Sequence, residues 1–405
     1  MGYIRRSLEP IVEAAAADFP VVVLTGPRQS GKTTLLKHLF AANWRYVSLE
    51  PPDVRAAAEA DPRGFLALNP PPVIFDEVHC APGLLPYVKE IVDSDRDRTG
   101  RFILTGSQNL LLTEGVTESL AGRAAIMRLL PLSRREADGT QNAPLPWENG
   151  RARLTGTHAS GLWLWEGFLR GGYPELAANP TRDASLWHSS YVQTYLERDV
   201  RSVRSIGDLT QFQVFLRALA ARSGQLLNRT ELGRDLGLTA NTVKAWLSVL
   251  EATHQIVVLR PYFANVGKRL VKTPKVYFAD VGTLCHLVGL RDAEHAMASP
   301  MAGAIMETVV LAEVVRTITH QGRQPEVYFW RTADGSEVDL LLAESGRLIP
   351  IEVKLSATPN ARMAKGISAF RRLMGAPASK GYVVHPGSVC LPLGPDAVAL
   401  PFADL

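Results

Sequence analysis

PVVVLTGPRQSGKTTLLKHLF, residues 20–40, is the stretch on which the reading of this chain turns. It opens with a β-branched apolar run, Val21 to Leu24, turns through Gly26 to Gly31, and continues with Leu35, Leu36 and Leu39 at helical spacing. The turn fits G-x-x-x-x-G-K-[ST] at Gly26, Gly31, Lys32 and Thr33, between a strand and a helix as the motif requires. Glycines let backbone N–H groups point at phosphate oxygens, and the helix N-terminus adds partial positive charge. Gly26, Pro27, Arg28, Gln29, Ser30, Gly31, Lys32, Thr33 and Thr34 therefore form a predicted phosphate cradle. Lys32 reaches the terminal phosphates and Thr33 ligates Mg²⁺ in such a cradle, so ATP and Mg²⁺ are the expected cofactors.

Working outward, VIFDEVH (73–79) is a buried-type strand ending in Asp76 and Glu77. Acids at the carboxyl end of such a strand sit where an α/β sheet places its ligand. Asp76 is expected to hold Mg²⁺, and Glu77 to polarise an attacking water. RFILTGSQN (101–109) is a third strand with a polar end. Ser107 is the candidate γ-phosphate sensor with Asn109 behind it; a plain polar strand cap is the alternative. In SLAGR (119–123), Arg123 is a candidate arginine finger acting on a neighbouring subunit, hence a homo-oligomer, or a surface arginine. Alternating strands and helices predict a parallel sheet covered on both faces.

Residues 138–161 are rich in Gly, Pro, Asn and Thr and read as a linker into a helical region, in which Arg198 and Asp199 read as surface ion pairing. LLNRTELGRDLGLTANTVKAWLSVLEATHQIVVLRPY (226–262) reads as two short helices around Gly237, capped by Thr230 and Thr239, then a strand. This is a winged helix-turn-helix. If it binds DNA, Thr239, Asn241, Thr242 and Lys244 face the groove, with Lys268, Arg269, Lys272 and Lys275 on phosphates. Protein contact is the competing use.

EVDLLLAESGRLIPIEVK (337–354) predicts a hairpin turning at Ser345-Gly346. That turn sets Asp339 opposite Glu352 and Glu337 opposite Lys354, with Val338, Leu340, Ile351 and Val353 on the other face. Facing carboxylates repel, and a divalent cation would compensate them. Glu307, embedded in an apolar helix, could add a carboxylate. Ordinary cross-strand ion pairs are the alternative.

GPRQSGKTT, VIFDEVH, ILTGSQN, SLAGR, GGYPE, YLERDV, KVYFADVG and EVDLLL…IPIEVK together resemble a family of AAA-like P-loop ATPases with a C-terminal DUF4143 domain, itself similar to PD-(D/E)xK nucleases. The resemblance implies an α/β fold: a parallel-sheet P-loop ATPase core (1–137), a helical linker (138–215), a winged helix (216–292) and a restriction-endonuclease-like domain (293–405). It places Asp339, Glu352 and Lys354 in the acid, acid and lysine positions and Glu307 at the helical glutamate; Val338 stands where the motif's proline would be. The expected function is a Mg²⁺-dependent ATPase acting on DNA, with metal-dependent nuclease activity as an added capacity. The alternative is an ATP-driven switch or remodeller whose last domain only binds DNA or protein.

The remaining totals fit. A net charge of +4 confines any nucleic-acid surface to local patches. Three cysteines far apart in sequence, Cys80, Cys285 and Cys390, suggest a reducing compartment. Charged residues interrupt the N-terminal segment and no run spans a bilayer, so a cytoplasmic location without membrane contact is expected.

Overall fold

A computed structural model describes residues 2–106, 120–148, 161–195, 208–262, 272–375 and 377–405. Ser107, Asn109, Arg198, Asp199, Lys268 and Arg269 lie outside these residues, so their expected roles have no structural counterpart here.

The first sheet is built from β1 (Val21–Thr25), β2 (Arg45–Ser48), β3 (Val73–Asp76), β4 (Phe102–Gly106) and β5 (Ala124–Arg128). All pairings are parallel and the order is β2-β3-β4-β1-β5. Residues of one strand alternate between two cores, which is why these strands read as continuous apolar runs. Val21, Val23, Phe75 and Leu104 join one core, with Val88 and Val92 of the helix Leu85–Ser94. Val22, Leu24, Ile74 and Ile103 join the other, with Val12 of the helix Glu9–Asp18 and Leu35 of the helix Lys32–Phe40. The register brings Thr25 level with Gly106 and Arg128, and Ser48 level with Asp76. The carboxyl ends of the strands thus share one edge.

The expected linker is anchored where it is described. Leu145 and Trp147 are buried in the largest core, alongside residues as distant as Leu405. The period argument missed this because two large apolar side chains can anchor a segment without any regular element.

The helices Arg229–Leu236 and Ala240–Ala252 flank a left-handed Gly237 as expected, and Thr239 accepts from Thr242 N. The first cap is Asn228, not Thr230: its side chain accepts from Glu231 N at 3.1 Å. Asparagine is a strong N-cap and lies one residue outside the helix, whereas Thr230 is already inside it.

Strands β6 (Ile256–Pro261) and β7 (Lys275–Phe278) form an antiparallel pair. The end of β6 also pairs in parallel with β8 (Val327–Arg331). This joins the pair to β9 (Glu337–Glu344), β10 (Arg347–Val353), β11 (Gly381–His385), β12 (Leu391–Pro392) and β13 (Ala397–Pro401). The result is a mixed eight-stranded sheet, β12-β13-β11-β10-β9-β8-β6-β7. It runs across the expected boundary at 292/293. The β9–β10 turn has φ of 50° at Ser345 and 75° at Gly346, the paired positive values of a type I′ hairpin. Glu344 pairs with Arg347 and Leu340 with Ile351. One further step of that register sets Asp339 opposite Glu352.

The three cysteines are free thiols. Among the described residues no helix is long and apolar enough to cross a membrane.

Candidate functional site

The P-loop leaves β1 through Gly26, whose φ is 147°. A Cβ there would lie 2.0 Å from the Leu129 carbonyl oxygen, so only glycine fits the approach of β5's continuation. Lys32 is buried, and its ammonium donates to the carbonyls of Gly26 at 2.9 Å and Pro27 at 3.0 Å. Arg28, Gln29, Gly31, Lys32, Thr33 and Thr34 line a cleft of about 710 Å³.

Asp76 reaches the same cleft from β3. Thr33 Oγ1 donates to its Oδ2 at 2.8 Å, the Tyr46 hydroxyl donates to the same oxygen, and Thr105 Oγ1 donates to Oδ1. Burial, reinforced by Asp76, holds the Tyr46 phenol well above its ordinary pKa. The carboxylate is thus fixed beside the Thr33 hydroxyl. A hard oxygen pair at a phosphate cradle suits Mg²⁺, so the residues present fit that ion. Glu77 lines the cleft with a left-handed φ of 56°, and its carboxylate lies 3.0 Å from His79 Nδ1. A non-glycine residue in that region carries backbone strain, and it turns Glu77 out of line with β3.

Tyr46 and Thr105 were not singled out from sequence. Thr105 had a weak signal, since it precedes the small polar end of β4. Tyr46 had none, because only the sheet order brings β2 beside β3. The opposite wall was also invisible: Gly2, Tyr3, Ile4 and Arg6 from the N-terminal arm, and Pro174, Glu175, Tyr191 and Tyr195 from the helical region. Tyr3 stacks on His38 with ring centroids 3.8 Å apart.

Arg123 sits elsewhere. It precedes Ala124, which is level with Val21, so it lies at the end of the sheet away from the P-loop. Its guanidinium clasps Asp93 at 2.7 and 3.0 Å. It cannot reach the nucleotide cleft of its own chain.

The second expected site lies in the C-terminal sheet. Asp339 Oδ2 accepts from Val353 N at 2.8 Å and stands 3.7 Å from Lys354 Nζ, which is 2.5 Å from Glu352 Oε2. Glu307, on the helix Ala302–His320, pairs with Lys275 at 2.9 Å and accepts from the Tyr277 hydroxyl. Lys275 also pairs with Glu337 at 2.8 Å. Burial and the charge of Asp339 push the Glu352 carboxyl up to about 8, against the pull of Lys354. The same two causes raise Glu307 to about 7, against Lys275. The structure thus brings Asp339, Glu352 and Lys354 together and links Glu307 to them through charge. Lys275, expected on DNA phosphate, is instead buried and paired with these carboxylates; it enters from β7, which the sequence assigns to a different domain. Among the described residues no three His, Cys, Asp or Glu side chains are arranged to hold one metal ion. Lys275 and Lys354 offset part of the charge of these four carboxylates, and Arg331 lies 3.4 Å from Glu337.

On the exposed face of the helix Ala240–Ala252, Thr239, Asn241 and Lys244 are open to solvent and Thr242 is half-buried, its hydroxyl 2.9 Å from that of Thr239.

Residues 18–137 match the AAA domain, 162–294 a domain of unknown function (DUF8612), and 302–405 a domain of unknown function (DUF4143). Uncharacterized protein Rv2008c of Mycobacterium tuberculosis is 31% identical over 402 residues, covering 98% of this chain and 83% of that protein. Uncharacterized protein Mb2031c of Mycobacterium bovis has the same identity and coverage. Among solved structures, the Walker-type ATPase PABY2304 of Pyrococcus abyssi is 18% identical with a TM-score of 0.44, over 69% of this chain and 94% of that one. The Thermotoga maritima RuvB Holliday junction branch migration motor is 17% identical with a TM-score of 0.28, over 63% and 90%. The identity and coverage of the mycobacterial proteins, together with the matched domains, carry the assignment: the chain belongs to the family of AAA-domain P-loop ATPases that end in a DUF4143 domain.

Proposed function

We propose that the chain binds and hydrolyses ATP with Mg²⁺ in the P-loop cleft and uses the turnover to act on DNA. The observation that carries the ATPase reading is the fixed Thr33–Asp76 pair beside Lys32 and Glu77 in one cleft. Mg²⁺, when bound, neutralises the charge of the terminal phosphates. The backbone from Gly26 to Thr34 cradles them, and Lys32 exchanges its loop carbonyls for phosphate oxygens. Glu77 orients the attacking water, and His79 holds the Glu77 carboxylate in place. Lys32→Ala is expected to abolish phosphate release; undiminished turnover would overturn the reading. Arg123, turned from its own cleft, would act only on a neighbouring chain's nucleotide after leaving Asp93.

DNA is the favoured partner because the second helix after Gly237 presents Thr239, Asn241 and Lys244 to solvent. Stimulation of turnover by duplex DNA is the expected result. Stimulation by protein and not by DNA would favour the remodeller instead.

A second reading, metal-dependent DNA cleavage, is favoured by the β9–β10 register and by the raised carboxyls of Glu352 and Glu307. Burial and the neighbouring charge of Asp339 hold these acids above their ordinary range, and a divalent cation would relieve the crowding of charge. Plasmid nicking that requires Mn²⁺ or Mg²⁺ and is lost in Glu352→Gln is the test. DNA binding without nicking under any metal or nucleotide condition would leave the non-nucleolytic switch.

A further inference from the structure

A buried polar network ties the P-loop to the last domain. Arg6 of the N-terminal arm is 5% exposed. Its Nη1 donates to the Ser30 carbonyl of the P-loop at 2.8 Å, and its Nη2 to the Leu130 carbonyl at 2.7 Å. Its Nε lies 3.1 Å from Glu136 Oε1. Glu136 is the third residue of a capping box started by Ser133, and its carboxylate also accepts from Ser7 N at 2.9 Å and Ser133 N at 3.0 Å. The partner that completes the network is His320, the last residue of the helix Ala302–His320. It is fully buried, with Nδ1 2.9 Å from Glu136 Oε2.

The tautomer of His320 follows from its contacts. Leu130 N donates to Nε2 at 3.1 Å, so Nε2 is the acceptor and Nδ1, 2.9 Å from Glu136 Oε2, carries the proton. Burial holds the imidazole below its ordinary pKa, opposing the pull of Glu136. Burial alone would raise Glu136, but the close contacts of His320, Arg6 and Ser133 N lower it below its ordinary range. A neutral histidine thus steers an ionised glutamate, which holds the arginine that grips the P-loop.

The contact is one rung of a ladder. On the same helix, Arg316 Nη1 donates to the Leu132 carbonyl at 3.2 Å, and the Glu313 carboxylate accepts from Arg134 N at 2.9 and 3.0 Å. Residues 313, 316 and 320 share one helical face and all meet the segment that follows β5. Glu307 stands on that helix about 20 Å from His320, at 1.5 Å per residue.

We propose that His320 is a positioning residue of the nucleotide site: through Glu136 and Arg6 it sets the P-loop at Ser30, so ATP turnover depends on how the C-terminal helix is seated. The inference rests on the ATPase reading of the cleft. It makes the long helix a rigid rod with the P-loop network at one end and the carboxylate group of the second sheet at the other.

The test is steady-state Mg²⁺-ATP hydrolysis by the full chain, with thermal midpoints in parallel, for wild type, Arg6→Lys, His320→Gln, His320→Asn and Arg6→Lys/His320→Gln. Gln keeps an acceptor for Leu130 N and drops the contact with Glu136; Asn does the reverse. Losing one charge-assisted bond is expected to raise KM or lower kcat about tenfold in Arg6→Lys and His320→Gln. His320→Asn should lie closer to wild type. The double variant should be no worse than the poorer single one, because both act on one chain of contacts. A purely structural role would lower the thermal midpoint and leave KM and kcat within about twofold of wild type. That result, or losses that multiply in the double variant, would overturn the inference. If His320→Gln does not fold, Arg6→Lys and His320→Asn decide on the same criteria. No turnover in wild type, or undiminished turnover in Lys32→Ala, would instead sink the ATPase reading.

Discussion

Thr105→Val isolates one hydroxyl in the proposed Mg²⁺ site. Thr105 is fully buried on β4, and its Oγ1 donates to Asp76 Oδ1. Valine has nearly the same shape, so no cavity forms; only the hydrogen bond goes. Thr33 and Tyr46 both hold the other oxygen, Oδ2, so neither replaces the lost donor. A hydrogen bond to a charged group contributes about 1.5–3 kcal/mol. If about 2 kcal/mol of that serves to fix the carboxylate beside Thr33, kcat falls roughly thirtyfold. The phosphate cradle from Gly26 to Thr34 is untouched. Binding of a fluorescent ADP analogue without Mg²⁺ should therefore stay within about twofold of wild type. The assay is phosphate release at saturating Mg²⁺-ATP beside that binding measurement. A kcat within twofold of wild type would refute the claim that Thr105 orients Asp76. Equal loss of ADP binding and kcat would show that the substitution had disturbed the P-loop instead.

Two further predictions concern the other regions. Glu352, raised to about 8 when folded, keeps its proton where the unfolded chain would lose it, so its contribution to stability is full below about pH 4.5 and lost as pH rises through 8. Glu352→Gln mimics the protonated form. In metal-free buffer it should gain about 1–3 kcal/mol over wild type at pH 8.5 and almost nothing at pH 5; a gap between the two melting curves that does not change with pH would contradict this. For DNA, Lys244→Ala should make the plot of log affinity against log salt shallower by about 0.9, as expected for one phosphate contact; an unchanged slope would remove Lys244 from the interface.

Whatever depends on neighbours along the chain is legible in the residues alone. The P-loop is a run of nine residues whose spacing is its chemistry, and Lys32, Thr33 and Asp76 line one cleft. The β9–β10 register was legible because turn type fixes register, and Ser345-Gly346 adopts the two positive φ values that a tight hairpin needs. Asn228 marks the limit of such local reading, since two capping residues stood two positions apart and only the backbone chose between them.

Tertiary structure decided the rest. In a sheet ordered β2-β3-β4-β1-β5, spatial neighbours are not sequence neighbours. That order alone brings Tyr46 and Thr105 to Asp76, while a place before the first residue of β5 puts Arg123 at the end of the sheet away from the P-loop. Lys275 reaches Glu307 and Glu337 because a strand pair from the middle of the chain completes the C-terminal sheet. Arg6, Glu136 and His320 meet across more than three hundred residues of chain, as the 314-residue separation of Arg6 and His320 records. No periodicity or motif signals such a contact. It exists because burying a charged arginine requires partners, and the packed fold supplies them from wherever the chain returns.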